Sequence, residues 1–154
     1  MIKVLQILAP GTNCDKETKH AFELCGAKVK EILITELIKN KNLIKEHQII
    51  SFPGGFTYGD DIASGKILAL LIEKYLKDEI LDFVDRGNLI IGICNGFQVL
   101  VKCGLLGDYK VSLVMNKSCH FEARWVHLKV SSKKCIFTEG IDFIDLPVAH
   151  AEGR

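Results

Sequence analysis

The chain has 154 residues, with 20 Lys and Arg against 19 Asp and Glu and a formal net charge of +1. A chain of this length buries roughly 68–70% of the surface it exposes when unfolded, which supports a full hydrophobic core, so a single domain over 1–154 is expected. The even charge balance makes no electrostatic case for nucleic acid, no apolar run reaches membrane-spanning length, and no charged-then-apolar leader opens the sequence; a cytoplasmic protein with neither nucleic-acid nor membrane partners is expected.

Val4 to Leu8 reads as a strand. In the loop that follows, Asn13 and Asp15 are residues a ligand or partner could touch, but both are ordinary helix-cap types and capping is the expectation. Lys16 to Cys25 has helical spacing, with Ala21, Phe22 and Cys25 on one side and Gly26 as a stop. Val29 to Ile34 is a second strand, Glu36 to Lys45 a short helix and Gln48 to Phe52 a third strand. The third strand runs into Pro53-Gly54-Gly55, which is a turn signal and also the backbone type that can aim N–H groups at an oxyanion. Ile67 to Arg86 is helical with a break expected around Glu73, and Leu89 to Ile93 is a fourth strand. Continuously apolar strands alternating with helices imply an open α/β sheet, mostly parallel with helices on both faces and right-handed crossovers, whose sites lie at the carboxyl ends of strands.

The fourth strand ends in Gly92-Ile93-Cys94-Asn95-Gly96, a cysteine between two glycines where an apolar strand meets a helix-like stretch. That is the layout of a nucleophile elbow with sulfur in place of oxygen. Small residues on either side allow the sharp turn, and the helix N-terminus favours a thiolate. A buried, inert cysteine is the competing reading of so short a motif.

After Leu106 the pattern changes. Val111 to Met115, Ala123 to Val130 and Ile141 to Ala149 read as strands with little helix between them, an antiparallel extension expected to bring His150 back over Cys94. Lys129 to Lys134 reads as an exposed turn. His150 and Glu152, at i and i+2, share a face in extended backbone, so the carboxylate can orient the imidazole for a thiol partner. A surface His and Glu at a strand end is the alternative. Cys14, Cys25, Cys94, Cys103, Cys119 and Cys135 lack C-x-x-C spacing, so no metal site, redox pair or disulfide framework is expected. His20, His47, His120 and His127 have no comparable constellation and read as solvated or structurally bonded.

Through "PGTNCD" (Pro10 to Asp15), "PGGFTYGDD" (Pro53 to Asp61), "GICNGFQVL" (Gly92 to Leu100), "NKSCHFEARWV" (Asn116 to Val126) and "PVAHAEGR" (Pro147 to Arg154), the chain resembles the PurQ-type glutaminases of phosphoribosylformylglycinamidine synthase. These are class I glutamine amidotransferases of purine biosynthesis with a flavodoxin-like fold. The resemblance implies Cys94 as nucleophile, His150 as base, Glu152 as the carboxylate that orients it, and the backbone N–H groups of Gly55 and Asn95 as oxyanion hole. It implies Asn116, Ser118 and Phe121 as candidate substrate contacts bordering the glutamine pocket, and leaves Arg124 to bind an intrachain carboxylate. It further implies glutamine as substrate, no cofactor in this domain, and transfer of ammonia to a synthetase subunit or domain that carries ATP and magnesium, with a small accessory subunit as a possible third member.

Family members continue past the His-x-Glu motif by several tens of residues, whereas this sequence stops at Arg154. The expectation is a C-terminally incomplete fold, from a fragment, a truncated product or an unusually short homologue, with Glu152 prone to fraying and an exposed sheet edge or apolar surface. Two alternatives follow: an inactive or truncated glutaminase-like subunit with a structural or partner-binding role, and a different cysteine hydrolase on the same fold.

Overall fold

In a computed structural model that describes residues 1–106, 111–132 and 134–154, the strands β1 (Lys3–Leu8), β2 (Lys28–Leu33), β3 (Ile49–Phe52) and β4 (Leu89–Gly92) form one parallel sheet. Their order is β2-β1-β3-β4. This is the flavodoxin-like order, in which the chain reverses its direction of winding between β1 and β3, and the crevice at their carboxyl ends is the natural binding position. The chain divides into two compact units, Met1–Leu113 and Val114–Arg154.

In the first unit the helices are α1 (Asp15–Leu24), α2 (Ile34–Lys39), α3 (Lys66–Tyr75), α4 (Lys77–Asp85) and α5 (Asn95–Lys102). Leu5, Ile7, Ile50 and Phe52 from the sheet pack with Leu37, Ile72, Leu76, Ile80 and Val99 from the helices into one buried cluster. α1, α4 and α5 each end on a glycine with positive φ, Gly26, Gly87 and Gly104, whose N–H and that of the next residue return to the last turn. This is the left-handed cap that only glycine adopts without strain.

Two boundaries differ from the sequence-based expectation. The helix expected over Glu36 to Lys45 is split: α2 starts earlier, at Ile34, and Asn40 (φ −134°, ψ 66°) separates it from a 3-10 turn over Lys41–Glu46. The break lets Ile34 and Leu37 on one side and Leu43 and Ile44 on the other all reach the core. The long helix breaks at Leu76, not Glu73. Leu76 is fully buried, donates to the Ile72 carbonyl and accepts from the Ile80 N–H, so one core residue ends α3 and starts α4.

The second unit is built on an antiparallel ribbon of β5 (Glu122–Lys129) and β6 (Phe143–His150), in register from Glu122 opposite His150 to Lys129 opposite Phe143. The expected strand over Val111 to Met115 does not form. Met115 forms an isolated antiparallel bridge with Glu152, and Val114 and Arg154 exchange backbone bonds of 2.9 and 3.3 Å. Four of the five residues are apolar, but a strand needs a partner along its whole length, and among the described residues only the segment after His150 bonds to this one, at its Val114–Met115 end. Of the expected 129–134 turn, Lys129 closes β5 and Lys133 lies outside the described residues. Among the described residues no helix is long and apolar enough to cross a membrane.

Candidate active site

The sheet delivers three loops to one end. The loop after β1 and the loop after β3 are zipped together: Phe56 N–H donates to the Gly11 carbonyl at 2.9 Å, Tyr58 N–H to Pro10 at 2.7 Å, and the Asn13 and Cys14 N–H groups to Gly54 at 3.4 and 3.2 Å. Thr12 and Gly55 are bridge partners at the centre of this zipper. Gly55 has φ +144°, and a Cβ there would lie 2.7 Å from the Gly11 oxygen and 2.8 Å from the Asn13 nitrogen, so only glycine fits. Its own N–H is not used by the bonds that zip the loops among the described residues.

The third loop is the elbow between β4 and α5. Cys94 has φ 52° and ψ −112° and stands at the N-cap of α5 with its side chain exposed. A non-glycine residue in this region is strained, at a cost of order 1–3 kcal/mol, and persists only where its surroundings over-determine it. They do so here. Ile93 N–H donates to the Phe52 carbonyl at 3.0 Å and Gly96 N–H to the Ile93 carbonyl at 2.9 Å, holding both sides of the turn. A Cβ on Gly96 would lie 2.0 Å from the Phe52 oxygen, and one on Gly92 would lie 2.6 Å from the Gly96 oxygen. The two glycines are therefore needed for close approach of backbone to backbone, while the cysteine itself carries the unusual conformation.

Asn95, the first residue of α5, is fully buried and locks the elbow through its side chain. Its Oδ1 accepts from the Thr57 N–H at 3.2 Å and hydroxyl at 2.7 Å, and its Nδ2 donates to Asp60 Oδ1 at 3.1 Å and Gln98 Oε1 at 3.2 Å. Asp60 Oδ1 also receives the Gly65 N–H at 3.0 Å. These bonds hold a run of positive φ angles at Tyr58, Gly59 and Asp60. As the first helical residue, Asn95 also presents a backbone N–H that has no partner inside the helix.

A thiol neighbour completes this end of the sheet. A Cβ built on Gly54 would lie 3.3 Å from Cys94 Cβ and 3.4 Å from Cys14 Sγ, so the two cysteines converge on the same glycine. Partial burial, followed by the charges of Glu17, Cys94 and Asp15, pushes the Cys14 thiol above its ordinary value. Cys14, and neither Asn13 nor Asp15, is the N-cap of α1, and it makes no side-chain cap bond; Asn13 Oδ1 instead faces Cys14 Sγ at 3.3 Å. The capping expectation for Asn13 and Asp15 is thereby corrected: the peptide carbonyl of Cys14 is engaged by the Thr18 hydroxyl at 2.7 Å, and Asp15 lies in the first turn.

In the second unit, His150 closes β6 and Glu152 follows in the bridge with Met115. The bond at His150 Nδ1 is to Asn116 Oδ1, at 2.9 Å. Ser118 donates to Glu122 at 2.8 Å, and Arg124 forms an ion pair with the same carboxylate. The Ser118 hydroxyl, with Arg124 behind it, holds the Glu122 carboxyl below the usual carboxylate range. Phe121 is exposed. His47 is buried with its ring on the Leu43 carbonyl, and His127 pairs with Asp145 opposite it, which gives both structural partners.

A family model for the CobB/CobQ-like glutamine amidotransferase domain matches residues 1–154, running through both units. The phosphoribosylformylglycinamidine synthase subunit PurQ of Dehalococcoides mccartyi is 47% identical over 99% of this chain, and that of Methanococcus maripaludis 44% identical over 99%. The chain spans 62% and 58% of the length of these two relatives. Among solved structures, PurLQS from Thermotoga maritima superposes with a TM-score of 0.82 at 34% identity, covering 99% of this chain and 68% of that one. A glutamine amidotransferase from the same organism, at 19% identity and a TM-score of 0.64, shares the fold.

Proposed function

This chain belongs to the CobB/CobQ-like glutamine amidotransferase domain family, and on that premise we propose that it is the glutaminase component of a phosphoribosylformylglycinamidine synthase. The observation that carries the proposal is Cys94, held at φ 52° on the N-terminus of α5 with Gly54 against it and Gly55 next in the chain. The thiolate attacks the side-chain carboxamide carbon of glutamine, and the N–H groups of Gly55 and Asn95 receive the charge that develops on its oxygen. His150, holding the proton taken from the Cys94 thiol, delivers it to the amide nitrogen as the C–N bond breaks, releasing ammonia and leaving a glutamyl thioester. His150 then takes a proton from water, which attacks the thioester and releases glutamate and the free thiol. Glu152 supports the charged imidazole. Ser118 and Phe121 border the glutamine, and residues 1–154 act as a single glutamine amidotransferase domain.

The solved relative is PurLQS from Thermotoga maritima and the sequence relatives are named as synthase subunits, which supports partner subunits for this chain; a synthetase and a small accessory subunit are the partners in this reading. In this proposal the ammonia passes to the synthetase, where ATP and magnesium drive amidation of formylglycinamide ribonucleotide in the cytosol. Steady-state glutamine hydrolysis, with the synthetase partner saturating and loaded with its substrates, tests the assignment. His150→Ala is expected to abolish turnover with the fold retained, and Glu152→Gln to give a smaller loss, because the histidine moves the proton and the carboxylate only supports it. Undiminished turnover in His150→Ala would remove His150 from the mechanism. No hydrolysis by the unmodified chain with its partner would turn the assignment toward an inactive, partner-binding subunit.

A further inference from the structure

Asn116 is 5% exposed and uses its whole amide. Its Nδ2 donates to the backbone carbonyls of His120 at 2.9 Å and His150 at 2.8 Å, and its Oδ1 accepts the Gly153 N–H at 3.1 Å. A carbonyl only accepts and a peptide N–H only donates, so three backbone groups decide which end of this amide is oxygen before the imidazole is considered. Its own N–H donates to the Ala151 carbonyl at 2.8 Å, which ties it to the turn after His150. The oxygen so fixed lies 2.9 Å from His150 Nδ1.

An amide oxygen can only accept, so the proton of that bond sits on His150 Nδ1. Neutral imidazole has one N–H, and the lone pair is then left on Nε2. We propose that Asn116 is the positioning residue for His150, fixing the Nδ1–H tautomer and the ring orientation so that Nε2 is the working base. Gly153 forms the other wall. A Cβ there would lie 2.1 Å from the ring Cε1 and 2.2 Å from Nδ1, so the imidazole rests on the bare Gly153 backbone. The motif His-Ala-Glu-Gly thus supplies its own ring platform, and Asn116 supplies the tautomer. The glycine and the asparagine act through His150 and touch no reacting atom.

The inference deepens the assignment of His150 as acid–base group and rests on it. Imidazole nitrogen NMR on the full, unmodified chain reads the tautomer directly, with no activity needed. Neutral His150 is expected in the Nδ1–H form, and an Nε2–H form would overturn the proposal. Asn116→Asp puts a negative charge where the amide oxygen was and is expected to move the acid limb of the kcat/KM profile, measured with partner present, to higher pH. Gly153→Ala is expected to lower kcat roughly a hundredfold, as for a catalytic group displaced by about 1 Å, with KM for glutamine little changed. An unmoved pH profile in folded Asn116→Asp, or unchanged kcat in folded Gly153→Ala, would sink the positioning role. Failure of the underlying assignment looks different: His150→Ala keeps turnover while the tautomer stays as described.

Discussion

Cys94→Ala is expected to reduce glutamine hydrolysis to the assay background, and Cys94→Gly to do the same while making the protein more stable than the parent. Both remove the sulfur, so neither can form the thioester. They differ in backbone. At φ 52° and ψ −112° alanine keeps the strain that cysteine bears, whereas glycine adopts the same angles freely, which is worth of order 1–3 kcal/mol. The thiol is exposed, so its loss removes little packing. Thermal unfolding should therefore rank Gly above the parent, with Ala near the parent, while all turnover is gone from both variants. Equal stability of the Ala and Gly variants would mean that the elbow stores no strain; residual glutaminase in either would reassign the nucleophile. A glutamine-like electrophile should label Cys94 alone, with protection by glutamine. Cys14 is the informative control, because it meets Cys94 at Gly54 yet its thiol is pushed up, by burial first and then by nearby charges. Burial pushes Cys103 up to about 11 and hides it.

The strands of the sheet and the elbow were legible because their signals are local. Apolar runs bounded by turn residues marked β1 to β4, and Gly-x-Cys-x-Gly marked the strand-to-helix turn within five residues of sequence. The features that escaped are those whose cause lies far away in the chain. Asn116 enters only through the family resemblance, as a candidate substrate contact; its partners His150 and Gly153 lie 34 and 37 positions on, and no periodicity announces them. The same holds for Asn95: the resemblance points to its backbone N–H, while its side-chain amide binds Thr57 and Asp60 across 38 and 35 positions. Val111 to Met115 failed in the opposite direction. It is mostly apolar and holds two valines, but strand formation is decided by a partner and not by propensity. Helix breaks at Asn40 and Leu76 are likewise set by which side chains the core accepts, and composition alone does not fix that.

Gly96→Ala is expected to damage stability and activity together, through one methyl group that faces the sheet. Its Cβ would lie 2.0 Å from the Phe52 oxygen, 2.7 Å from the Phe52 carbonyl carbon and 2.8 Å from its Cβ. All three atoms belong to the last residue of β3, which is itself buried, and the threatened oxygen already accepts the Ile93 N–H. A flexible side-chain tip could swing away; a peptide carbonyl in a parallel sheet cannot move without breaking that bond. The cost should reach or exceed the top of the ~1–3 kcal/mol usual for overpacking a core. Any relief comes from lifting α5 off the sheet, and α5 carries Cys94 on its N-terminus, so the nucleophile moves with the helix. Gly26→Ala separates crowding from backbone conformation, because Gly26 has φ +80° but nothing within 4 Å of its added Cβ; it should cost only the left-handed penalty of about 1–2 kcal/mol and leave turnover intact. Urea unfolding followed by far-ultraviolet circular dichroism, beside glutaminase assays with the partner present, measures both. Should Gly96→Ala unfold no more easily than Gly26→Ala and turn over like the parent, the elbow does not pack on β3 as closely as described, and the contact that holds Cys94 in its strained conformation must be sought elsewhere.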